Sequence, residues 1–359
     1  MAVSCAARQE IRVSLRTCAA RPVSNVYENL AYDRGMESVA ELVRRMRQGE
    51  VRALARAVSL VENDDPSARQ ILSYCFPYTG SAIRIGVTGS PGVGKSTLVD
   101  GLASHYRAQQ ATVGVVAVDP TSPYTGGAIL GDRIRMREHH SDPGFYMRSM
   151  ATRGSLGGLA RASADVAAVI DASGKDRILL ETVGVGQDEI DIVRLADITI
   201  VVLVPGMGDD VQSIKAGIME IADIFVVNKS DRDGADRVEK EVRSMQSLAA
   251  HHGDWIPPVV RTIASTGAGI EDLQQALEQF WSWLAQEGRL TARREAHWRA
   301  RLMEMVRHEM LYTMRGHGLS DQVLAEISHQ VVRREQDPYQ LVPQLVEQLL
   351  QRGEKDGKN

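Results

Sequence analysis

Short apolar runs recur through the middle of the chain, and between them apolar residues return every three or four positions. The runs have the length and composition of buried strands, and the intervening spacing is that of one helix face. Strands that alternate with helices are typical of an α/β protein with a parallel sheet. The predicted strands are Ile83–Val87, Thr112–Val118, Arg177–Glu181, Ala196–Val204, Ile224–Val227 and Val259–Ser265.

Helical periodicity continues beyond this region at both ends. It covers residues 36–75, resumes after Ile270, and includes long amphipathic patterns at 291–312 and 322–350. The last segments carry an apolar stripe that either packs on the core or forms a dimer contact. We predict a leader at 1–35, an N-terminal helical extension at 36–80, an α/β domain at 81–288 and a C-terminal helical dimerisation arm at 289–359.

Composition excludes several classes of protein. The chain has 359 residues, a formal net charge of −4 and only 5% aromatic residues, so no nucleic acid partner is expected. Its longest apolar stretch, Ala196–Pro205, contains Asp197 and is too short to cross a bilayer, so no membrane partner is expected either. The three cysteines have no metal or disulfide spacing, which favours a reducing compartment.

The first 25 residues contain four arginines and one acidic residue. This composition is that of a transit peptide or of a disordered leader, and translation starting at Met36 is a further interpretation. We therefore expect a cytoplasmic bacterial protein, with the mitochondrial matrix as the alternative location.

A glycine-rich turn follows the first predicted strand and precedes a helix. It fits the phosphate-loop pattern G-x-x-x-x-G-K-S/T, whose backbone N–H groups surround a polyphosphate at a helix N-terminus. Lys95 is expected to neutralise the β- and γ-phosphates, and Ser96 to place its hydroxyl on Mg²⁺. The predicted nucleotide-binding residues here are Gly89, Ser90, Pro91, Gly92, Val93, Gly94, Lys95, Ser96 and Thr97.

Acidic residues follow two further strands. Asp119 ends the second strand, where it either reaches the metal or caps a turn. Asp132 lies in the Ser-, Thr- and Gly-rich segment 121–136, a candidate switch. Glu181 ends the next strand and is followed three residues later by Gly184. This spacing is typical of the phosphate-sensing element of GTPases. Gln187, in the same segment, is a candidate to orient the attacking water. A second glycine-rich stretch, 147–159, carries Arg148 and Arg153, which touch phosphate, a partner subunit or solvent.

The motif Asn228-Lys229-Ser230-Asp231 follows another strand. N-K-x-D at a strand end is typical of guanine recognition, since the Asp carboxylate accepts from guanine N1 and N2 and adenine lacks that pair of donors. The last strand leads into Ser265, Thr266 and Gly267, which resemble a base-stacking loop.

Together the segments GSPGVGKST, VDPTSPYTGGAILGDRIRM, ETVGVGQDE and NKSD resemble the MeaB/ArgK family of P-loop GTPases, of the SIMIBI class. These are chaperones of adenosylcobalamin-dependent acyl-CoA mutases such as methylmalonyl-CoA mutase. The resemblance implies a doubly wound sheet, a homodimer formed through the C-terminal arm, and Mg²⁺ held by Ser96, Asp119, Asp132 and Glu181. It also implies a switch at 206–215, in which Asp209 and Lys215 signal to the mutase.

The resulting hypothesis is slow GTP hydrolysis that controls a partner, with Lys95, Asp119, Glu181 and Lys215 as the catalytic set. The chain has no D-x-H-x-x-G motif, so adenosylcobalamin is expected only in the partner mutase. Three alternatives remain: an ATP-dependent kinase or ATPase of basic amino acid transport, a nickel-delivery GTPase, and a nucleotide-gated binding module with negligible turnover.

Overall fold

A computed structural model describes residues 38–119, 139, 142–151, 158–182, 194–206, 221–248 and 255–356, without the side chains of 119, 151, 158–160, 248 and 350–356. Within these ranges the strands are β1 (Ile83–Thr88), β2 (Val113–Asp119), β3 (Phe145–Ala151), β4 (Arg177–Glu181), β5 (Ile198–Leu203), β6 (Ile224–Val227) and β7 (Val259–Arg261). The α-helices are α1 (Val39–Arg47), α2 (Val51–Glu62), α3 (Ala68–Cys75), α4 (Lys95–Ala108), α5 (Gly158–Ala172), α6 (Ala235–Leu248), α7 (Ile270–Leu284), α8 (Arg289–Gly316), α9 (Asp321–Val332) and α10 (Pro338–Asp356).

The seven described strands form one sheet in the order β3-β2-β4-β1-β5-β6-β7, and every pair is parallel. Strand β1 is therefore central, with β4 on one side and β5 on the other. The carboxyl ends of parallel strands meet at one edge, where open α/β sheets bind ligands. The carboxyl ends of β1, β4 and β6 consequently lie at the same edge.

Helices cover both faces of the sheet because strand side chains alternate in direction. On one face Ile85 and Leu179 pack with α4 and α7. On the opposite face Ile178 and Leu180 pack with α5 and the N-terminal helices, and Phe225 packs with α6 further along the sheet. The predicted α/β, doubly wound parallel fold with helical extensions at both termini is confirmed.

The N-terminal helices join this second face. Ser38 caps α1 by accepting a hydrogen bond of 3.2 Å from the backbone N–H of Glu41. Met46 and Ile71 are at most 1% exposed, so the helical spacing seen in the sequence marks a buried face.

Strand β3 was not predicted. The sequence indicated only a glycine-rich stretch at 147–159, and its first residues, Met147–Ala151, lie in β3 beside β2. Arg148 interrupts the apolar pattern of this strand, and a charged residue is unusual in a covered strand. Its guanidinium forms an ion pair with Glu62 of α2, whose side chain is only 11% exposed. The pair fastens the N-terminal helices to the edge of the sheet.

Helix α8 begins against the amino edge of the sheet. Arg293 makes two hydrogen bonds, of 2.9 and 2.7 Å, to the carboxylate of Asp223, and Arg294 makes two, of 2.9 and 3.0 Å, to Asp197. Further along, Leu302 and Val306 are more than half exposed, so the predicted apolar stripe faces away from the core. None of the helices described is both long and apolar enough to cross a membrane.

Candidate functional site

The turn after β1 is shaped by positions that only glycine fits. Gly89 has φ +142°, and a Cβ there would lie 2.3 Å from the carbonyl oxygen of Val202 in β5. Gly94 has φ +95°, and a Cβ there would lie 2.5 Å from Nδ2 of Asn228. Helix α4 starts at the next residue, so its first N–H groups face the turn. This is the geometry of an anion-binding phosphate loop.

Lys95 is the first residue of α4, and its side chain reaches back to the start of the turn. Its side chain is buried, and Nζ donates to the carbonyl oxygens of Gly89 at 2.6 Å and Ser90 at 3.0 Å. The ammonium is therefore held over the loop rather than in bulk water, where it adds positive charge to the N-terminus of α4.

Ser96 and Glu181 meet across the loop. The hydroxyl of Ser96 donates a hydrogen bond of 2.5 Å to Oε1 of Glu181, at the end of β4. Both side chains offer oxygen atoms next to the phosphate loop, and oxygen is the ligand that Mg²⁺ prefers. The residues therefore fit the metal that the sequence predicts at this point.

Several predicted site residues cannot be placed. The backbone of Asp119 ends β2 at the correct edge of the sheet, but its side chain is not described. Six further residues lie outside the described ranges: Asp132, Arg153, Gly184, Gln187, Asp209 and Lys215. Their roles stay predictions.

Asn228 connects the guanine motif to the phosphate loop. Its amide Nδ2 donates to the carbonyl of Val93 at 2.8 Å, and its Oδ1 accepts from the Thr262 hydroxyl at 3.1 Å and the Ala264 backbone N–H at 3.0 Å. The amide is thus oriented from both sides and is 2% exposed. Lys229, in the left-handed region at φ +54°, adds a second link by donating to the carbonyl of Gly92 at 2.7 Å.

Asp231 is exposed, unlike the other three residues of the motif. Its carboxylate has no hydrogen-bond or ion-pair partner within the described part of the chain. An exposed, unpaired carboxylate beside the phosphate loop is available to accept two N–H groups from a base.

The loop after β7 lies beside this motif because β6 and β7 are paired. Ser265, Thr266 and Gly267 are exposed, and a bridge between Ile263 and Ala268 closes the turn. Gly269 follows, with φ +78° and a would-be Cβ only 2.1 Å from the Arg261 carbonyl. The turn therefore sits at the same edge as Asp231, as the predicted base-stacking position requires.

Sequence reasoning missed Thr262 and Ala264, which orient Asn228, and the buried pair Thr88 and Thr182. Thr182 donates to the hydroxyl oxygen of Thr88 at 3.2 Å. The only signal of Thr88 and Thr182 in the sequence was a polar residue directly after a predicted strand.

A phosphate loop at the central strand and a guanine motif two strands away define a P-loop GTPase. The family model described as "Methylmalonyl Co-A mutase-associated GTPase MeaB" matches residues 54–318. The chain belongs to this family, and it hydrolyses GTP.

Curated relatives agree with this assignment. A putative GTPase of Pyrococcus abyssi is 46% identical over 318 residues, which is 87% of this chain and 97% of the relative. The GTPase ArgK of Escherichia coli is 38% identical over 70% of this chain and 79% of its own length. A protein of Caenorhabditis elegans named "Methylmalonic aciduria type A homolog, mitochondrial" is 31% identical over 78% of this chain and 75% of its own.

Among solved structures, one titled "LAO/AO transport system kinase" has a TM-score of 0.65 and 29% identity. It covers 86% of this chain and 96% of that one. The similarity extends over most of both chains, so it includes the sheet and its flanking helices.

Proposed function

We propose that this GTPase is a chaperone that gates cofactor loading and protects an adenosylcobalamin-dependent acyl-CoA mutase of the methylmalonyl-CoA mutase type. The description of its family and the name of the C. elegans relative support this role. Binding of a guanine nucleotide is supported above all by the hydrogen bond from Asn228 to the carbonyl of Val93. This bond connects the motif proposed to recognise the base with the loop proposed to bind the phosphates.

In the proposed reaction a water oxygen bonds to the γ-phosphorus while the bond to the β,γ-bridging oxygen breaks. Lys95 and the N–H groups of the loop stabilise charge on the transferred group. Ser96 and Glu181, with Asp119 and Asp132 as further predicted ligands, would hold Mg²⁺, which would supply positive charge against the charge that develops on the phosphates. Asp231 and the turn at Ser265, Thr266 and Gly267 select the guanine base.

Coupling to the mutase is assigned to two segments. The predicted switch at 206–215, with Lys215, carries the signal of nucleotide state, together with Gly184 at the γ-phosphate.

The exposed stripe of α8 forms a homodimer in which residues 289–359 act as the arm. The adenosylcobalamin stays in the partner mutase. We assign the protein to the bacterial cytoplasm, or to the mitochondrial matrix if residues 1–35 are a transit peptide.

GTP turnover measured with and without purified methylmalonyl-CoA mutase tests the proposal. We expect slow multiple turnover alone and an increase of at least about tenfold with the mutase, as for other GTPases that depend on a partner. The Lys95→Ala variant should lose both rates. An unchanged rate across several acyl-CoA mutases would exclude the chaperone role, and absence of multiple turnover would favour a nucleotide-gated binding module.

The dimer is tested separately by sedimentation of the full chain. Leu302→Glu places a charge in the exposed stripe and should convert a dimer to a monomer without changing GDP affinity. A wild-type protein that sediments as a monomer at micromolar concentration would contradict the arm assignment.

A further inference from the structure

Two consecutive residues at the end of β4 contact the two ends of the phosphate loop. Glu181 accepts the hydrogen bond from Ser96, which follows the loop, and Thr182 donates to the hydroxyl of Thr88, which precedes it. The backbone N–H of Thr182 also donates to the carbonyl of Val87 at 3.2 Å. The end of β4 is therefore attached to both sides of the loop.

The contact between the two threonines is buried. Thr88 is 0% exposed and Thr182 is 5% exposed. A buried hydroxyl that loses its partner carries a desolvation penalty, so the bond favours one spacing between the ends of β1 and β4. That spacing determines where the neighbouring carboxylate of Glu181 meets Ser96.

We propose that Thr182 is a positioning residue of the hydrolytic site: its bond to Thr88 fixes Glu181 against the phosphate loop and thereby favours guanosine triphosphate over diphosphate. The inference rests on the proposed nucleotide site. The physical reason is that Ser96 and Glu181 would hold Mg²⁺, whose charge would offset the additional charge of a triphosphate, so misplacing Glu181 costs triphosphate binding more than diphosphate binding.

The chain provides a matched control. Thr199 in β5 is also 0% exposed, and its hydroxyl has no hydrogen-bond partner among the described residues. Thr199→Val and Thr182→Val each replace a buried hydroxyl with a methyl group and keep the branched shape of the side chain. Only the second breaks a bond to the strand that carries the phosphate loop.

The experiment measures Kd for GDP and for the non-hydrolysable analogue GppNHp in Mg²⁺, kcat for GTP, and the midpoint of thermal unfolding. Thr182→Val should weaken GppNHp binding about three- to tenfold, the effect of one lost hydrogen bond, and lower kcat by a similar factor. GDP affinity should stay within about twofold. Thr182→Ser should restore the analogue affinity, and Thr199→Val should match the wild type in both affinities and in kcat.

Thr88→Val tests the same bond from its other side and replaces Thr182→Val if that variant does not fold. The double variant Thr88→Val, Thr182→Val should bind GppNHp no more weakly than the single variant with the lower affinity. The reason is that both substitutions break the same hydrogen bond, so their effects do not add. The inference would be overturned if Thr182→Val kept the wild-type ratio of GDP to GppNHp affinity. It would also be overturned if Thr199→Val lost as much GppNHp affinity as Thr182→Val. If the wild-type protein itself shows no preference for guanine over adenine nucleotides, the proposed nucleotide site fails instead.

Discussion

Asn228 and Val93, 135 positions apart in the chain, are joined by a hydrogen bond of 2.8 Å from the side-chain amide to the backbone carbonyl. The residue that opens the guanine motif thus holds the middle of the phosphate loop. Because the same amide also accepts from Thr262 and Ala264, three segments depend on one side chain.

Replacing Asn228 with alanine should therefore weaken GDP and GTP binding together. The change leaves buried donors and an acceptor without partners, at about 1–3 kcal/mol each, so a loss of at least about tenfold is expected. Fluorescence titration with a labelled GDP measures it. Ser230→Ala, at the variable position of the motif, is the control and should bind normally. A variant that discriminated only against guanine, with phosphate binding intact, would contradict the bridging role.

Gly89→Ala tests the packing of the loop against β5. The new methyl group would lie 2.3 Å from the carbonyl oxygen of Val202, so the loop must move. Nucleotide affinity should fall by at least about tenfold, because a displaced loop loses several amide contacts to phosphate. Gly174→Ala is the control, because Gly174 also has a positive φ, of +87°, but a methyl group there would have no neighbouring atom within 4 Å. It should cost only about 1 kcal/mol of folding stability and no affinity.

Arg294 stabilises the attachment of α8. The Asp197 carboxylate is only 3% exposed, and its ion pair to Arg294 raises the pKa of that guanidinium. Arg294→Met leaves a buried carboxylate without its ion-pair partner, although the backbone N–H of Arg84 still donates to it, and should lower the free energy of unfolding by about 3 kcal/mol. Arg299→Met, on the exposed side of the same helix, should change it by less than about 0.5 kcal/mol. Urea unfolding compares them, and equal stabilities would show that the ion pair contributes nothing net.

His297 gives stability a defined pH dependence. Burial, and then the charge of Arg293, lower its pKa from 6.5 to about 4, with Arg84 and Arg294 adding to the effect and Asp197 opposing it. Between these values the unfolded chain takes up a proton that the folded chain does not, so stability falls as pH drops from about 6.5 towards 4. His297→Asn should flatten this part of the profile, measured as urea midpoints at pH 7.5 and 5. The exposed His329→Asn variant should keep the wild-type slope, and a wild-type slope in His297→Asn would contradict the assignment.

The fold was predictable where burial produces uninterrupted apolar runs, as in Ile224–Val227. It was not predictable at β3, because the partner that makes Arg148 acceptable in a strand is Glu62, 86 residues earlier. The phosphate loop and the guanine motif were readable because phosphate and guanine binding require particular residues at fixed spacing. The threonines at 88, 182 and 262 act through tertiary hydrogen bonds, which leave no periodic signal in the sequence.

We propose that the phosphate loop and Asp231 together bind a guanine nucleotide. The most direct test of this central proposal is competition of GTP, ATP and XTP for the wild-type protein and for Asp231→Asn, whose amide matches the edge of xanthine rather than that of guanine. We predict that the wild type binds GTP in about the micromolar range and ATP at least about tenfold more weakly, and that the variant transfers its preference to XTP. Equal binding of ATP and GTP by the wild type, or an unchanged preference in the variant, would contradict the account.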